Sequence, residues 1–257
     1  MAEIKKIKNC PICSEILVKV FRLGNFPLCD DLIKINSNRV SKLYPIELLI
    51  CMKCLIVCNK YQINEKVLFP KDYHYRSRFT NDVVLGQKDL VSKIEKKYGS
   101  LKGKIILDIG SNDGTLLNEF KKKKCKTIGV EPTNATDEAS KNHVIYKEYF
   151  NNYVAKKIIK RFKIIDFIIF TNVFAHINDF SNLIKNLKII LSDKTTLIIE
   201  NHYLGSVIKK KQFDTFYHEH PRTYSLKSFY EISRKIQFNI SYFEFPKRYG
   251  GNIRVFF

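Results

Sequence analysis

The stretch "ILDIGSNDGTLL", Ile106 to Leu117, decides how the rest of the chain is read. Ile106 to Ile109 has the apolar character of a buried strand, Gly110 to Gly114 is a turn, and "TLL" opens a helix. The two glycines let the backbone turn sharply and let a ligand come close. A dinucleotide-binding turn reads G-x-G-x-x-G and rests a pyrophosphate on the helix N-terminus. Here the pattern is G-x-N-x-G, with Asp108 before the turn and Asp113 inside it. Carboxylates repel phosphate and attract cations, so the expected ligand is positively charged.

Glu131 closes the next strand, 23 residues after Asp108, where an acid accepts hydrogen bonds from both hydroxyls of a ribose. A nucleoside that carries a sulfonium and an ammonium satisfies both conditions, and S-adenosylmethionine is such a molecule. The expected donor set is Asp108, Gly110, Asn112, Asp113, Gly114 and Glu131, with Pro132 beside the acid and Asn172 at a later strand end. The competing reading is a Rossmann-like turn that holds no nucleotide.

Outward from this turn, strand and helix patterns alternate. "KIILDIG" (104–110), "KTIGVEP" (126–132), "HVIYK" (143–147), "IIDFIIFTN" (164–172) and "TTLIIEN" (195–201) read as buried strands, with helical stretches between most of them. Before them, "NDVVLGQKDLVSKIEKKYG" (81–99) reads as an amphipathic helix stopped by Gly99. After them come a longer loop, a helix "LKSFYEISRKI", and an antiparallel pair, "FNISYFEFP" and "GGNIRVFF". Such alternation predicts an α/β fold, a parallel sheet covered by helices on both faces.

Upstream lie Cys10-Pro-Ile-Cys13 and Cys51-Met-Lys-Cys54. Each C-x-x-C knuckle turns two thiolates toward one ion, and two knuckles complete the tetrahedral shell of structural zinc. With four protein ligands no position remains for an activated water, so the expected zinc is structural. Cys29, Cys58 and Cys125 read as small packing residues, although Cys58 lies close enough to the second knuckle to compete as a ligand. The expected organisation is a four-cysteine zinc-binding module over 1–70 and a donor-binding domain over 71–257.

The 257 residues suffice for one full α/β domain with a small accessory unit. A hydrophobic fraction of 45% with 27% charged residues excludes a wholly disordered chain. No apolar run approaches the roughly 20 residues that cross a bilayer, and "MAEIKKIKNCPIC" lacks a secretory core. A reducing cytoplasm is the expected compartment, with thiols or metal ligands rather than disulfides. The net charge of +20 fits a polyanionic or phosphate-bearing partner. The plainer reading is solvated surface, because the lysines are scattered along the sequence rather than gathered on one predicted face.

A second stretch, "QFDTFYHEHPRTYS" (212–225), puts two histidines, a glutamate, an aspartate and two tyrosines after the fifth strand, at the sheet edge where ligands collect. With a four-cysteine module ahead of "LDIGSNDGTLL", "GVEPT", "NVFAHI" and "YHEH", in that order, nearly the whole chain resembles the zinc-containing sugar methyltransferases. These are best known as C-methyltransferases of nucleotide-linked 4-keto deoxysugars. The resemblance implies a class I methyltransferase Rossmann-like seven-stranded sheet, whose last two strands form the hairpin. It also implies a small-molecule acceptor such as a nucleotide sugar or a related surface-polysaccharide precursor.

It further implies that Tyr217, Glu219 and His220 match the active-site Tyr-x-Glu-His, and that His176 of "AHI" is a further active-site histidine. "DYHYRS" (72–77) matches a segment that lends a tyrosine to the sugar pocket; Tyr73 and Tyr75 both qualify, with Tyr75 preferred. Two departures stand out. Family members usually continue into a second Rossmann-like domain that helps enclose the acceptor, and no counterpart is expected within these 257 residues, which leaves the acceptor open. Arg76 and Arg78 replace expected small residues and either grip an anion or sit in solvent.

For the chemistry, His220 is the expected general base, since imidazole titrates near working pH. Glu219 is expected to orient it or raise its basicity, and Tyr217 to hydrogen-bond developing charge on oxygen. C-methylation of a keto sugar and O-methylation of a hydroxyl remain open. His218, Asp214 and Tyr224 read equally as loop hydrogen-bonding groups, His202 as structural or pocket-lining, and His74 and His143 as incidental. Two rivals differ in class. A zinc-containing RNA methyltransferase fits the charge, but "TNVFAHI" has no Asn/Asp-Pro-Pro-aromatic motif, and nucleic acid is the less expected partner. A non-catalytic nucleotide-sugar-binding partner protein would not need Asp108, Glu131, His176 and His220 together. Oligomeric state is not readable.

Overall fold

The computed structural model describes residues 3–257. The N-terminal part forms β1 (Ile4–Lys6), β2 (Val18–Phe26), β3 (Tyr44–Ile50), β4 (Val57–Asn59), β5 (Tyr61–Ile63) and the short helix α1 (Glu65–Leu68). Then come α2 (Asn81–Tyr98), β6 (Ile105–Ile109), α3 (Thr115–Lys122), β7 (Lys126–Val130), α4 (Thr136–Ala139) and β8 (Val144–Tyr146). The chain continues through α5 (Asn152–Phe162), β9 (Phe167–Thr171), α6 (Phe180–Ile190), β10 (Thr196–His202) and α7 (Leu204–Lys210). It ends with β11 (Arg222–Thr223), α8 (Leu226–Ile236), β12 (Tyr242–Glu244) and β13 (Asn252–Phe256).

Seven strands form one mixed sheet in the order β12-β13-β10-β9-β6-β7-β8. β10, β9, β6, β7 and β8 run parallel, while β13 is antiparallel to both β10 and β12. This is the class I methyltransferase Rossmann-like arrangement, and the antiparallel pair read at the end of the sequence completes it. The parallel strands are sealed on both faces, as their unbroken apolar runs require. One layer packs α2 and α3 against the sheet through Leu90, Ile94, Leu116 and Phe120. The opposite layer packs α5, α6 and α8 through Ile158, Leu187, Phe229 and Ile232.

α2 shows how the sequence sets this packing. Its buried residues Val83, Gln87, Leu90, Val91 and Ile94 recur at helical spacing on one stripe. It stops at Gly99, whose φ of 78° suits a residue without Cβ. α5, α6 and α8 each begin on a side-chain cap, from Asn151, Asp179 and Ser225.

The N-terminal strands make a second sheet, β11-β4-β3-β2. Its first strand comes from the stretch after β10, so that Arg222 pairs with Cys58 and Thr223 with Val57. The four knuckle cysteines and their neighbours Ile12, Leu49 and Ile56 share one continuous core with α8 and the large sheet. The segment after β10, read from sequence as a longer loop, therefore contains a helix, α7, and a strand added to the N-terminal sheet. Neither was legible because α7 is only seven residues long and β11 two.

Candidate active site and cysteine cluster

The side chains of Cys10, Cys13, Cys51 and Cys54 converge, with all four sulfurs within 4.8 Å of one another. Cys10 and Cys54 are 3.5 Å apart and Cys13 and Cys51 3.3 Å. A tetrahedron of zinc–sulfur bonds has sulfur edges of about 3.8 Å, so the donor set and spacing fit a structural zinc. Cys58 is buried outside this group, as is Cys125, half-buried against the Leu101 carbonyl. Cys29 is exposed, which differs from the packing role read from sequence.

At the carboxyl edge of the large sheet lies a cavity of about 760 Å³, a volume ordinary for small-molecule sites. β6 carries Asp108 into its floor, and the chain turns at Gly110 with φ 76°. A Cβ on Gly110 would lie 2.4 Å from the Val173 side chain, so only glycine fits between the turn and the segment after β9. Asp108 is buried, and its Oδ1 has no hydrogen-bond partner. Burial, and then the nearby Glu131 carboxylate, push its carboxyl up to about 8. A bound cation would reverse that shift.

Glu131 ends β7 and also lines the cavity, its carboxylate accepting from the backbone N–H groups of Asn112 (3.1 Å) and Thr133 (3.0 Å). Pro132 and Asn172 line the cavity too. Asn112 has φ 48°, and its side chain is occupied elsewhere. Its Oδ1 accepts from the Ser77 N–H and its Nδ2 donates to the Tyr75 carbonyl, fastening residues 75–77 over the turn. Asp113 and Gly114 do not line the cavity. Asp113 caps α3 through the Thr115 N–H and hydroxyl and accepts from the Arg78 N–H. Arg78 also pairs with Glu138, and Arg76 donates to the carbonyls of Tyr73 and Tyr75. Both arginines are thus held by protein groups.

The second half of the cavity is aromatic and imidazole-rich. His176, from the turn after β9, and His202, from the end of β10, flank His220 at ring distances of 5.0 and 4.8 Å. His220 Nδ1 lies 3.0 Å from the Thr215 carbonyl, which can only accept, so that nitrogen carries the proton. Nε2 is then the acceptor, and the Tyr217 hydroxyl donates to it at 3.2 Å. Burial, then the neighbouring His176 and His202, hold the His220 pKa well below its usual value. Burial likewise brings His176 and His202 down to about 4. All three rings are neutral at pH 7.

Glu219 was expected to orient His220; the Thr215 carbonyl does so instead. The Glu219 carboxylate faces the other way and accepts from the Tyr73 hydroxyl at 3.3 Å. Burial, followed by the Asp30 carboxylate, raises it to about 7. Tyr73 and Tyr75 both line the cavity, but Tyr73 is the one bonded to the YHEH segment. Tyr75 is 39% exposed. His218 Nε2 donates to the Tyr44 carbonyl, Tyr224 donates to the Phe174 carbonyl, and His143 sits between Thr127 and Asn118, all outside the cavity. Asp214 lines it.

Sequence reasoning missed Arg248 and Tyr249, which line the cavity from the turn before β13. Arg248 passes over Gly86 of α2, where any Cβ would meet its guanidinium, and lies 3.2 Å from Glu200. Glu200 in turn accepts from Arg254 Nε (2.6 Å) and Asn252 Nδ2 (3.0 Å), a buried network that fixes the floor. Only the "R-Y-G-G" before the last strand hinted at it, through a glycine pair with positive φ.

A family model described as a methyltransferase domain matches residues 83–242, which spans the Gly110–Gly114 turn, Glu131 and the His176, His202 and His220 cluster. The chain belongs to that methyltransferase family. It is 24% identical over 257 residues to the C-methyltransferase NovU of Streptomyces niveus, across 98% of this chain and 61% of NovU. It therefore spans less than two thirds of that relative's length.

Among solved structures it is similar to magnesium protoporphyrin IX methyltransferase ChlM of Synechocystis PCC 6803 with bound S-adenosylmethionine. That match has a TM-score of 0.53 at 15% identity, over 76% of this chain and 96% of ChlM. The plantazolicin methyltransferase BpumL, in complex with a triazolic desmethylPZN analog and S-adenosylhomocysteine, matches at a TM-score of 0.50 and 16% identity, over 70% and 85% of the two chains. At these identities the likeness is one of fold. With the family match, it makes this methyltransferase S-adenosylmethionine-dependent. The orphaned Asp108 oxygen and the Glu131 carboxylate fit that donor's ammonium and ribose. Among the described residues no helix is long and apolar enough to cross a membrane.

Proposed function

We propose that this methyltransferase C-methylates a keto sugar carried on a nucleotide, with His220 taking a proton from the carbon beside the carbonyl. The carrying observation is the His220 tautomer. Thr215 holds Nδ1–H, so Nε2 turns a lone pair toward the cavity. When bound, S-adenosylmethionine supplies an electrophilic methyl group. Asp108 would hold its ammonium and Glu131 its ribose hydroxyls, from the ends of β6 and β7. The acceptor carbonyl takes the Tyr217 hydroxyl away from Nε2. The proton from carbon then moves to Nε2, and the electron pair it leaves is spread onto the carbonyl oxygen, where Tyr217 donates a hydrogen bond. Glu219, with the Tyr73 hydroxyl on one of its oxygens, holds a sugar hydroxyl.

The charge of the walls supports a neutral reacting ring. Seven acids, Glu65, Asp108, Glu131, Glu148, Asp179, Asp214 and Glu219, line the cavity, and Arg248 is the one Lys or Arg that does so among the described residues. That balance favours phosphates left outside and a sugar let in. The kinship with NovU, a C-methyltransferase, points the same way. The test is to incubate the protein with labelled S-adenosylmethionine and nucleotide-linked keto sugars, then locate the added methyl by mass and NMR. A methyl on carbon beside the carbonyl supports the reading, and a methyl ether or no transfer across the panel removes it.

A further inference from the structure

Some of the lysines that are scattered along the sequence gather in space. α5 exposes Lys156, Lys157, Lys160 and Arg161 and contains no acid. Its neighbour α6 exposes Lys185 and Lys188, again with no acid between Phe180 and Ile190. α8, packed beside α6, adds Lys227, Arg234 and Lys235 against a single acid, Glu231, which pairs with Arg234. One three-helix layer thus carries nine basic residues and one acid. The opposite layer is different. α2 and α3 hold six basic and four acidic residues, with Lys93 paired to Asp89 and Glu244, and Lys122 to Glu119.

We propose that the α5–α6–α8 layer docks the enzyme on an anionic bilayer surface. Neighbouring helices lie roughly 10 Å apart, so the charges spread over the faces of three helices rather than along one line, which is what a single-stranded nucleic acid would follow. Tyr153 on α5 and Tyr230 on α8 stand 60% and 46% exposed among these lysines. An apolar ring with a polar tip beside lysines is the pattern of helices that lie in a headgroup region. Lys157 sits over the Tyr153 ring, so charge and aromatic surface are presented together. Asn151 and Tyr153 of α5, and Asp179 and Asn182 of α6, also line the cavity, so docking would bring the cavity rim toward the bilayer.

The test uses the full chain and flotation with vesicles of phosphatidylglycerol in phosphatidylcholine, against phosphatidylcholine alone. Two variants each lose four exposed lysines: Lys156, Lys160, Lys185 and Lys188 to Gln in one, and Lys88, Lys96, Lys97 and Lys124 to Gln in the other. Both should bind S-adenosylhomocysteine as the parent does, which certifies their fold. The parent is expected to float with the anionic vesicles only, and less so as salt rises. The first variant should lose partitioning on the order of a hundredfold or more, and the second less than about tenfold, as expected for charge remote from the docking face. Equal losses would reduce the effect to net charge and overturn the proposal. So would flotation with neither vesicle, or binding to a single-stranded RNA oligomer without binding to anionic vesicles.

Discussion

The two halves of the cavity, one proposed for the donor and one for the acceptor, are built in opposite ways. The donor half comes from one continuous strand–turn–helix and the strand beside it, so Asp108, Gly110 and Glu131 are placed by backbone hydrogen bonds of the central sheet. The acceptor half is assembled from separate stretches. His176 follows β9, His202 ends β10, the Tyr217–His220 segment lies further on, and Tyr73 comes from the chain before α2. That half leans on the N-terminal sheet, because β11 pairs with β4 and Asn59 Nδ2 donates to the Tyr217 carbonyl at 2.8 Å. The donor half should therefore tolerate injury to the cysteine module far better than the acceptor half does.

Zinc removal gives the widest separation. In Cys51→Ser, or after chelation, turnover should vanish and the metal should fall from one per chain to none by elemental analysis, while S-adenosylhomocysteine still binds measurably by calorimetry. Equal loss of both functions would erase the distinction between the halves. Next in size is His220→Asn, expected to lower kcat by roughly 10²- to 10⁴-fold with nucleoside affinity unchanged. A turnover equal to the parent's would remove His220 from the chemistry.

Asp108→Asn attacks the other half. It should weaken S-adenosylhomocysteine binding by about ten- to a hundredfold at pH 8, the usual worth of a charged hydrogen bond. The parent's pH dependence sharpens this. Without ligand the Asp108 carboxyl is protonated below about 8, and pairing with an ammonium requires the carboxylate. Binding at pH 7 must then release a proton, so affinity should climb as pH rises to about 8 and level off above it. The Asn variant should show a flat profile. A parent profile that falls over this range would contradict the pairing.

The smallest effect is expected at Glu219→Gln. Burial raises the parent carboxyl to about 7, and only its ionised form accepts charge-assisted hydrogen bonds on both oxygens. kcat/KM should rise several-fold through that pH in the parent, and the rise should be missing in the variant.

The same contrast explains what the sequence disclosed. The donor half was legible because a buried strand, a glycine turn and an acid at the next strand end are local patterns, each set by a few consecutive residues. The cysteine knuckles were legible for the same reason. The hairpin of β12 and β13 was readable from alternation around Tyr242–Glu244 and Asn252–Phe256. Long-range partners were not. Nothing local shows that Asn112 spends its side chain on residues 75–77, that the Thr215 carbonyl rather than Glu219 orients His220, or that Arg248 crosses Gly86 to reach the floor. The basic layer was hidden likewise, since α5, α6 and α8 meet only once the sheet orders them.

A crystal structure with S-adenosylhomocysteine bound is the most direct test that one cavity serves both halves. The ribose hydroxyls should meet Glu131, the ammonium should meet Asp108, and the sulfur should face the His220 imidazole across open space. A sulfur directed away from His220, or a nucleoside lodged elsewhere with Asp108 still unpaired, would contradict the account.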